Sequence, residues 1–514
     1  MHFPATPAED AVAAELAGVR PALGPAYAAA LDGARAAVLT RLWRALAFEP
    51  LEWIVDRERG PGGLVLRLAG GARLEGPPPD PYATGAYVTE LLLDGRPFRQ
   101  AARLVRALGV AHGEAFAAEL DASTASLALS RAGQAPAGAG PAGPGAAART
   151  TWQWEQQVVD GHPYHPNCRS RPGFSVAEQL AYAPEHRPVV DLGLIAVRNE
   201  ECLVTGDWPA ELREAGRILV PVHPWQAEHV LGRTRVRAGL AAHPLMALRT
   251  LAPTDGGPHV KTALSARLTS SVRDISGYSV ETAAAVSAFA QDLSERLDGR
   301  LHITRTLGAA SAHSPDLAAV LREPPEAYAN AAAGEQVLPV AALALFAPAR
   351  SAGWRAEFAR LALSVCLRVL EMGVALEAHG QNLLVVLSAT GAPLRLVYRD
   401  LADIRISPAR LVRRGLPVPP LSGRLVTDDV TLLRRKLFGS LVTGALGATA
   451  GSDGAFTQAL ADAAPCLPGT ADTEALLTGP LPTKALTLMR LSPGTPGDQW
   501  AELPNPLAGS RAVR

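Results

Sequence analysis

Two stretches of this sequence concentrate residues able to hold anions and hard cations. HVKTALSARLTSSVRDIS, 259–276, carries Lys261, Arg267 and Arg273 around three hydroxyls, Thr269, Ser270 and Ser271. EAHGQNLLVVLSATGAPLRLVYRD, 377–400, sets Glu377, His379, Gln381 and Asn382 before one apolar run, and Arg399 and Asp400 after a second. In the first stretch Val260, Thr262, Leu264, Ala266 and Leu268 share one parity while Lys261, Ser265, Arg267 and Thr269 share the other. That alternation predicts a half-buried strand with Lys261 and Arg267 on one face. The hydroxyls that follow suit a helix N-cap, so the expectation is a helix with Arg273 on its first turn. Unpaired N–H groups there, joined by a Lys and an Arg, would form an anion site. A solvated basic face with an ordinary cap is the competing reading.

In the second stretch LLVVL and LRLVY flank a Gly- and Pro-containing turn, which predicts a hairpin with its apex at Gly391. Asn382 lies nine residues before that apex and Asp400 nine after, so pairing would set an amide oxygen beside a carboxylate. Such oxygens suit Mg²⁺ carrying nucleotide phosphates, because Mg²⁺ leaves most of its positions to water and phosphate. A plain polar hairpin end fits the same residues.

Two further motifs are polar. GHPYHPNCRSRPGFS, 161–175, gathers His162, His165, Arg169 and Arg171. Pro163 and Pro166 oppose the helix that would aim both imidazoles at a metal, and the arginines suggest a clamp for anionic oxygens. ILVPVHPWQAEHV, 218–230, reads as a strand turning into a helix at Pro224, with a capping His223 and a buried Trp225. A cationic cradle plus an oxygen-rich cation site implies use of a nucleoside triphosphate. No GxxxxGK[ST] loop is present, and the single GxGxxG, Gly138 to Gly143, falls in low-complexity sequence without flanking strand and helix.

These motifs need a large scaffold. The chain has 514 residues, enough for several subdomains, and 49 basic residues balance 49 acidic ones. That balance argues against a nucleic-acid surface or an acidic-lipid binder. Cys168, Cys202, Cys366 and Cys466 form no CxxC pair, which fits a reducing compartment. The N-terminus lacks a basic segment followed by an apolar core, and VLPVAALALFAPA is too short to span a bilayer, so a soluble cytoplasmic protein is expected. Helical spacing runs over 8–48, mixed α and β over 51–130, and Ala/Gly/Pro low complexity over 131–150. A helix over about 354–372, stopped by Gly373, leads into the hairpin. The resulting division is 1–150, 151–334 and 335–514 within a mixed α+β fold.

GHPYHP, HPWQ, KTxL…TSxxR, EAHGQN, RD and the terminal KALTLMRL…NPL, in this order, resemble the IucA/IucC family of siderophore synthetases that work without a nonribosomal assembly line. The resemblance implies a cupped hand of thumb, fingers and palm, with ATP between fingers and palm. It implies adenylation of a carboxylic acid, commonly citrate or a citrate derivative, then attack by an amine or hydroxyl to give an amide or ester, AMP and pyrophosphate. It carries over Lys261 and Arg273 to the ATP phosphates, Thr269 and His162 to the acid and α-phosphate, and His379 to the reacting carboxylate. Arg249 and Ser270 become further anion contacts. Gln381 and Asn382 would meet nucleotide or metal, while Asp400 and Glu377 would hold Mg²⁺. A homodimer fits the family. Two positions depart from its pattern: Ala247 stands where Ser is common, and Arg169 where Lys is common. The rival readings are a kinase-like phosphotransferase, weakened by Gly380 and Gln381 where a catalytic Asp would stand, and a binding module that only captures carboxylates.

Overall fold

The computed structural model describes residues 6–60, 62–134, 149–232, 236–268 and 271–508. Most of the low-complexity stretch, and the candidates Thr269 and Ser270, lie outside the described residues. The chain is mixed α and β, with three large apolar cores.

The first core is N-terminal. Helix Pro7–Val19 starts from a Thr6/Glu9 capping box with Pro at its first position. Helix Gly24–Phe48 ends just before Pro50 and buries Val38, Leu39, Leu42, Trp43 and Leu46. It packs these against Phe116, Leu120 and Leu127 of helix Gly113–Ala132. Two helices follow residue 100, Ala101–Leu108 and Gly113–Ala132, separated where Gly109 takes a left-handed φ of 62°. A five-stranded antiparallel sheet spanning 54–98 closes the other side, its alternation visible in buried Leu64, Leu66 and Leu68 against exposed Arg67.

The second core lies on a nine-stranded sheet, whose neighbours run Leu203–Gly206, Thr306–Ser311, Ala318–Arg322, His259–Thr262, Thr250–Pro253, Val236–Pro244, Val190–Arg198, Arg217–Val222, Arg213–Glu214. His259–Thr262 is therefore a central strand, and all four of its residues are buried rather than alternating. Beyond Ala263 the chain starts a separate strand, Leu264–Leu268, which returns as Ser271–Arg273 in a two-stranded hairpin with Leu264 opposite Arg273. The expected helix carrying Arg273 is thus a strand, and the next helix starts only at Gly277, capped by Ser276. Proximity of hydroxyls to the end of an apolar run cannot separate a cap from a tight hairpin.

The third core surrounds helix Ala352–Met372, capped by Ser351 and stopped by Gly373 at φ 115°. Beside it lies a four-stranded sheet in the order Leu301–Ile303, Pro393–Tyr398, Leu383–Leu387, Gln336–Pro339. Leu301–Ile303 pairs in parallel with Pro393–Tyr398, and Phe289 and Leu293 of the preceding helix join the same core. The run VLPVAALALFAPA divides into strand Gln336–Pro339 and a 3₁₀ segment, Val340–Leu345. Among the described residues, no helix is long and apolar enough to cross a membrane.

Candidate active site

The hairpin forms as its sequence implies, with Gly391 at φ 84° in the turn. The turn pairs Leu387 with Pro393, which centres the hairpin one residue before Gly391; the register shift between Val386 and Leu387 recovers one residue of that offset, and Asn382 lies opposite Arg399, whose N–H donates to the Asn382 carbonyl at 3.0 Å. The expected side-by-side pair of Asn382 and Asp400 is therefore displaced. Asp400 follows the strand, in a left-handed conformation at φ 72°.

That turn aims the Asp400 carboxylate across to the nine-stranded sheet. Lys261 Nζ lies 2.9 and 3.1 Å from its two oxygens, and Arg322 Nη2 lies 2.8 Å from one of them. Arg322 reaches the same place because its strand pairs with that of Lys261, placing His259 opposite Arg322 and Lys261 opposite Val320. On the other flank Lys261 opposes Thr250, which puts Arg249 at the neighbouring strand end. The Arg249 guanidinium donates to the carbonyls of Arg273 and Asp274 at 2.5 and 2.6 Å, fixing the hairpin strand that carries Arg273.

Arg249, Lys261, Arg273 and Arg322 thus gather around one carboxylate. Burial, then Arg322 and Arg249, push Lys261 down to about 7 against the opposing pull of Asp400. Burial lowers Arg249 to about 10, with Arg273 and Arg322 adding to the shift. Burial disfavours the Asp400 charge, but Arg322 and Lys261 overcome it and hold the group well below the usual carboxylate range. Lys261 and Arg322 share the single Asp400 carboxylate, an arrangement in which an incoming polyanion can take over as counter-ion.

Glu377, one turn before the hairpin, sits in a second charged group. Its Oε1 lies 3.0 Å from both Lys436 and Lys484, and Asp498 lies 3.2 Å from Lys484. Burial opposes the Glu377 charge, yet Lys484, His379 and Lys436 bring it down to about 2. His379 accepts the Gln381 N–H on Nδ1 at 3.3 Å, and His162 accepts the Tyr164 N–H on Nδ1 at 3.2 Å. A neutral ring in that arrangement carries its proton on Nε2 and can donate. Both stay neutral near pH 7: burial lowers His379, while His162, open by surface area yet ringed by protein, is held well below its usual value by that desolvation and then by His165 and His379. His379 is among the charges that lower His162, which sets the GHPYHP loop beside the EAHGQN turn.

Elsewhere in the first motif, the anion clamp does not form. Arg169 donates to the carbonyls of Val158 and Val159, and Arg171 lies 2.8 Å from fully buried Glu185. These arginines hold the loop's interior. His162 and His165 are 6.1 Å apart between ring centres, and the described residues contain no group of three His, Cys, Asp or Glu side chains that could hold a metal. HPWQ behaves as read: His223 caps through Trp225 N at 3.1 Å, and Trp225 stacks on Phe174. Gln226 adds a link to the cradle, since its side chain both accepts from Ser265 N and donates to Ser265 Oγ.

Sequence reasoning missed Arg322, Lys436 and Asp498. Lys484 carried a signal, being part of the terminal KALTLMRL.

The fold is one shared with siderophore biosynthesis proteins. The petrobactin biosynthesis protein AsbB from Bacillus anthracis superposes with a TM-score of 0.75 at 19% identity, over 96% of this chain and 98% of that one. ATP-bound aerobactin synthetase IucA from Klebsiella pneumoniae gives 0.70 at 19% identity, over 93% and 99%. Residues 150–345 match the IucA / IucC family, and residues 352–452 match the ferric iron reductase FhuF-like transporter family. Among curated relatives, the citryl-spermidine/3,4-dihydroxybenzoyl-citryl-spermidine:spermidine ligase of B. anthracis is 25% identical over 311 residues, 48% of this chain and 50% of the relative. The chain spans about half the length of the curated relatives it matches.

Proposed function

We propose that this chain is an ATP-dependent siderophore synthetase. It adenylates a carboxylic acid, citrate or a citrate derivative, and condenses it with an amine or hydroxyl to give an amide or ester, AMP and pyrophosphate. The observation that carries this reading is the convergence of Lys261, Arg322, Arg249 and Arg273 on Asp400. In this reading residues 1–150, 151–334 and 335–514 serve as thumb, fingers and palm, with the triphosphate over the Lys261 strand. A cytoplasmic location, where ATP is supplied, follows from the same chemistry, and a homodimer is the expected assembly.

Of the three oxygen donors named for Mg²⁺, Asp400 is the one that fits: it is ionised and partly open, whereas Asn382 lies opposite Arg399 and Glu377 is held by Lys436 and Lys484; the remaining metal positions would fall to phosphate and water. Bound there, Mg²⁺ would supply charge neutralisation on the phosphates. Lys261, Arg249 and Arg273 would bind phosphate oxygens and stabilise charge that grows on the α-phosphate and pyrophosphate as a carboxylate oxygen attacks phosphorus. Thr269 and Ser270 would add hydroxyl contacts and Gln381 a nucleotide contact. His162 and His379, neutral with Nε2 protonated, would donate to the acid's carboxylate and orient it. Because their Nδ1 lone pairs are engaged, they act here as donors rather than bases. The nucleophile's attack on the acyl carbon then expels AMP.

The experiment is a carboxylate panel with ATP, Mg²⁺ and hydroxylamine, following hydroxamate and pyrophosphate together. Acid-dependent formation of both supports adenylation. ADP in place of pyrophosphate would turn the reading to a phosphotransferase, and citrate binding with no nucleotide turnover to a capture module.

A further inference from the structure

Glu155, in TWQWEQ at 151–156, belongs to none of the polar motifs, yet it is fully buried between the two walls of the site. One carboxylate oxygen lies 2.8 Å from Arg399 Nη1. The other accepts the Met246 N–H at 2.9 Å. Each contact leads directly to a proposed ligand of ATP. Arg399 donates through Nε to the Gln381 carbonyl and through its backbone N–H to the Asn382 carbonyl, both at 3.0 Å, and it immediately precedes Asp400. Met246 lies in the tight 245–249 turn, where Leu248 adopts φ 61° and Leu248 N donates to Leu245 O at 2.9 Å, and which ends in Arg249.

The short helix holding Glu155 is itself anchored. Thr150 and Gln153 form a capping box, Thr151 N donates to Glu326 at 2.7 Å, and Trp154 is buried in the third core against Phe346. A carboxylate so fixed sets the distance between the Arg249 turn and the Gln381–Asn382 turn. We infer that Glu155 is a positioning residue for nucleotide binding: through Arg399 and Met246 it holds the phosphate-side and hairpin-side contacts at one spacing. This rests on the synthetase reading of the site.

The test is equilibrium binding of ATP with Mg²⁺, measured by calorimetry without acid substrate, on wild type, E155Q, R399Q and the double variant. E155Q keeps the acceptor for Met246 N and removes the charge facing Arg399. It should weaken ATP binding roughly tenfold, leave citrate affinity unchanged, and do no more in combination with R399Q than either change alone. A purely structural pair would lower citrate and ATP affinity together with thermal stability. Should E155Q fail to fold, R399K carries the same test, since it keeps the buried pair and removes the Nε donor to Gln381. ATP affinity equal to wild type in the folded variant, or strictly additive losses, would overturn the inference alone. A wild-type protein that binds no ATP would overturn the synthetase reading and this inference with it.

Discussion

Lys261 and Asp400 stand 139 residues apart in the chain and meet at 2.9 Å, one on a central strand of the nine-stranded sheet and the other just past the hairpin. In the ligand-free protein each is the other's counter-ion. A polyphosphate and a divalent cation would exchange those partners, phosphate taking the ammonium and metal the carboxylate.

On the proposed synthetase reading, losing either Lys261 or Arg273 should stop chemistry without unfolding the protein. Lys261→Ala and Arg273→Ala should each lower the acid-dependent pyrophosphate release rate by about a hundredfold or more. Circular dichroism and size-exclusion profiles should match wild type. A folded double variant working at near-normal rate would remove both residues from the site.

Asp400→Asn should be destabilising in a way that anions reverse. Without the carboxylate, Arg322 loses its counter-ion and Lys261, at about 7 even with Asp400 beside it, is driven toward its neutral form, so the folded state loses the ion pair. Pyrophosphate, added without metal, should recover more thermal stability in this variant than in wild type. Equal shifts in the two proteins would count against an internal counter-ion.

Nucleotide binding should take up a proton above neutral pH. Lys261, depressed to about 7 by burial and then by Arg322 and Arg249, is largely uncharged at pH 8, and phosphate would restore its charge. Between about pH 7 and the ordinary lysine value the unfolded chain holds this proton and the folded chain does not, so this group makes stability rise with pH there. Calorimetry at pH 8 in two buffers of different ionisation enthalpy should give different heats for wild type and equal heats for Lys261→Met. Equal wild-type heats would refute the assignment.

Glu377 should govern an acid limb. Its folded value of about 2, below the ordinary 4.5, contributes stability that is complete above the unfolded value and fades as pH falls through the folded one. Linkage puts this at about 3 kcal/mol. Denaturant titrations of Glu377→Gln should show a lower stability at pH 7 and a flatter decline from pH 5 to 3. A decline parallel to wild type would assign the acid limb to other carboxylates.

What the sequence revealed follows from physical range. The hairpin of 383–398 was legible because apolar runs and Gly391 are local signals. The register was not: the turn is centred one residue early at Leu387/Pro393, which leaves Asn382 opposite Arg399, and Asp400 turns out at φ 72° to meet Lys261. Strand alternation failed at His259–Thr262 because a central strand is buried on both faces, which lets Lys261 be enclosed. Arg169 and Arg171 illustrate the opposite error, since charge in a motif-rich loop looked available until Glu185 was seen beneath it. Arg322 and Glu155 were invisible because each acts through a contact made only by tertiary folding.

The strand Leu301–Ile303 has a consequence for dissecting this chain. The four-stranded sheet takes Leu301–Ile303 and Gln336–Pro339 from the segment matching one family and Leu383–Leu387 and Pro393–Tyr398 from the segment matching the other. A truncation at the seam near 350 would strip both outer strands and leave a bare two-stranded hairpin with apolar edges open to pairing between molecules. The two segments are two sequence signatures but a single folding unit, and neither should be recoverable from an expression host as a well-behaved fragment.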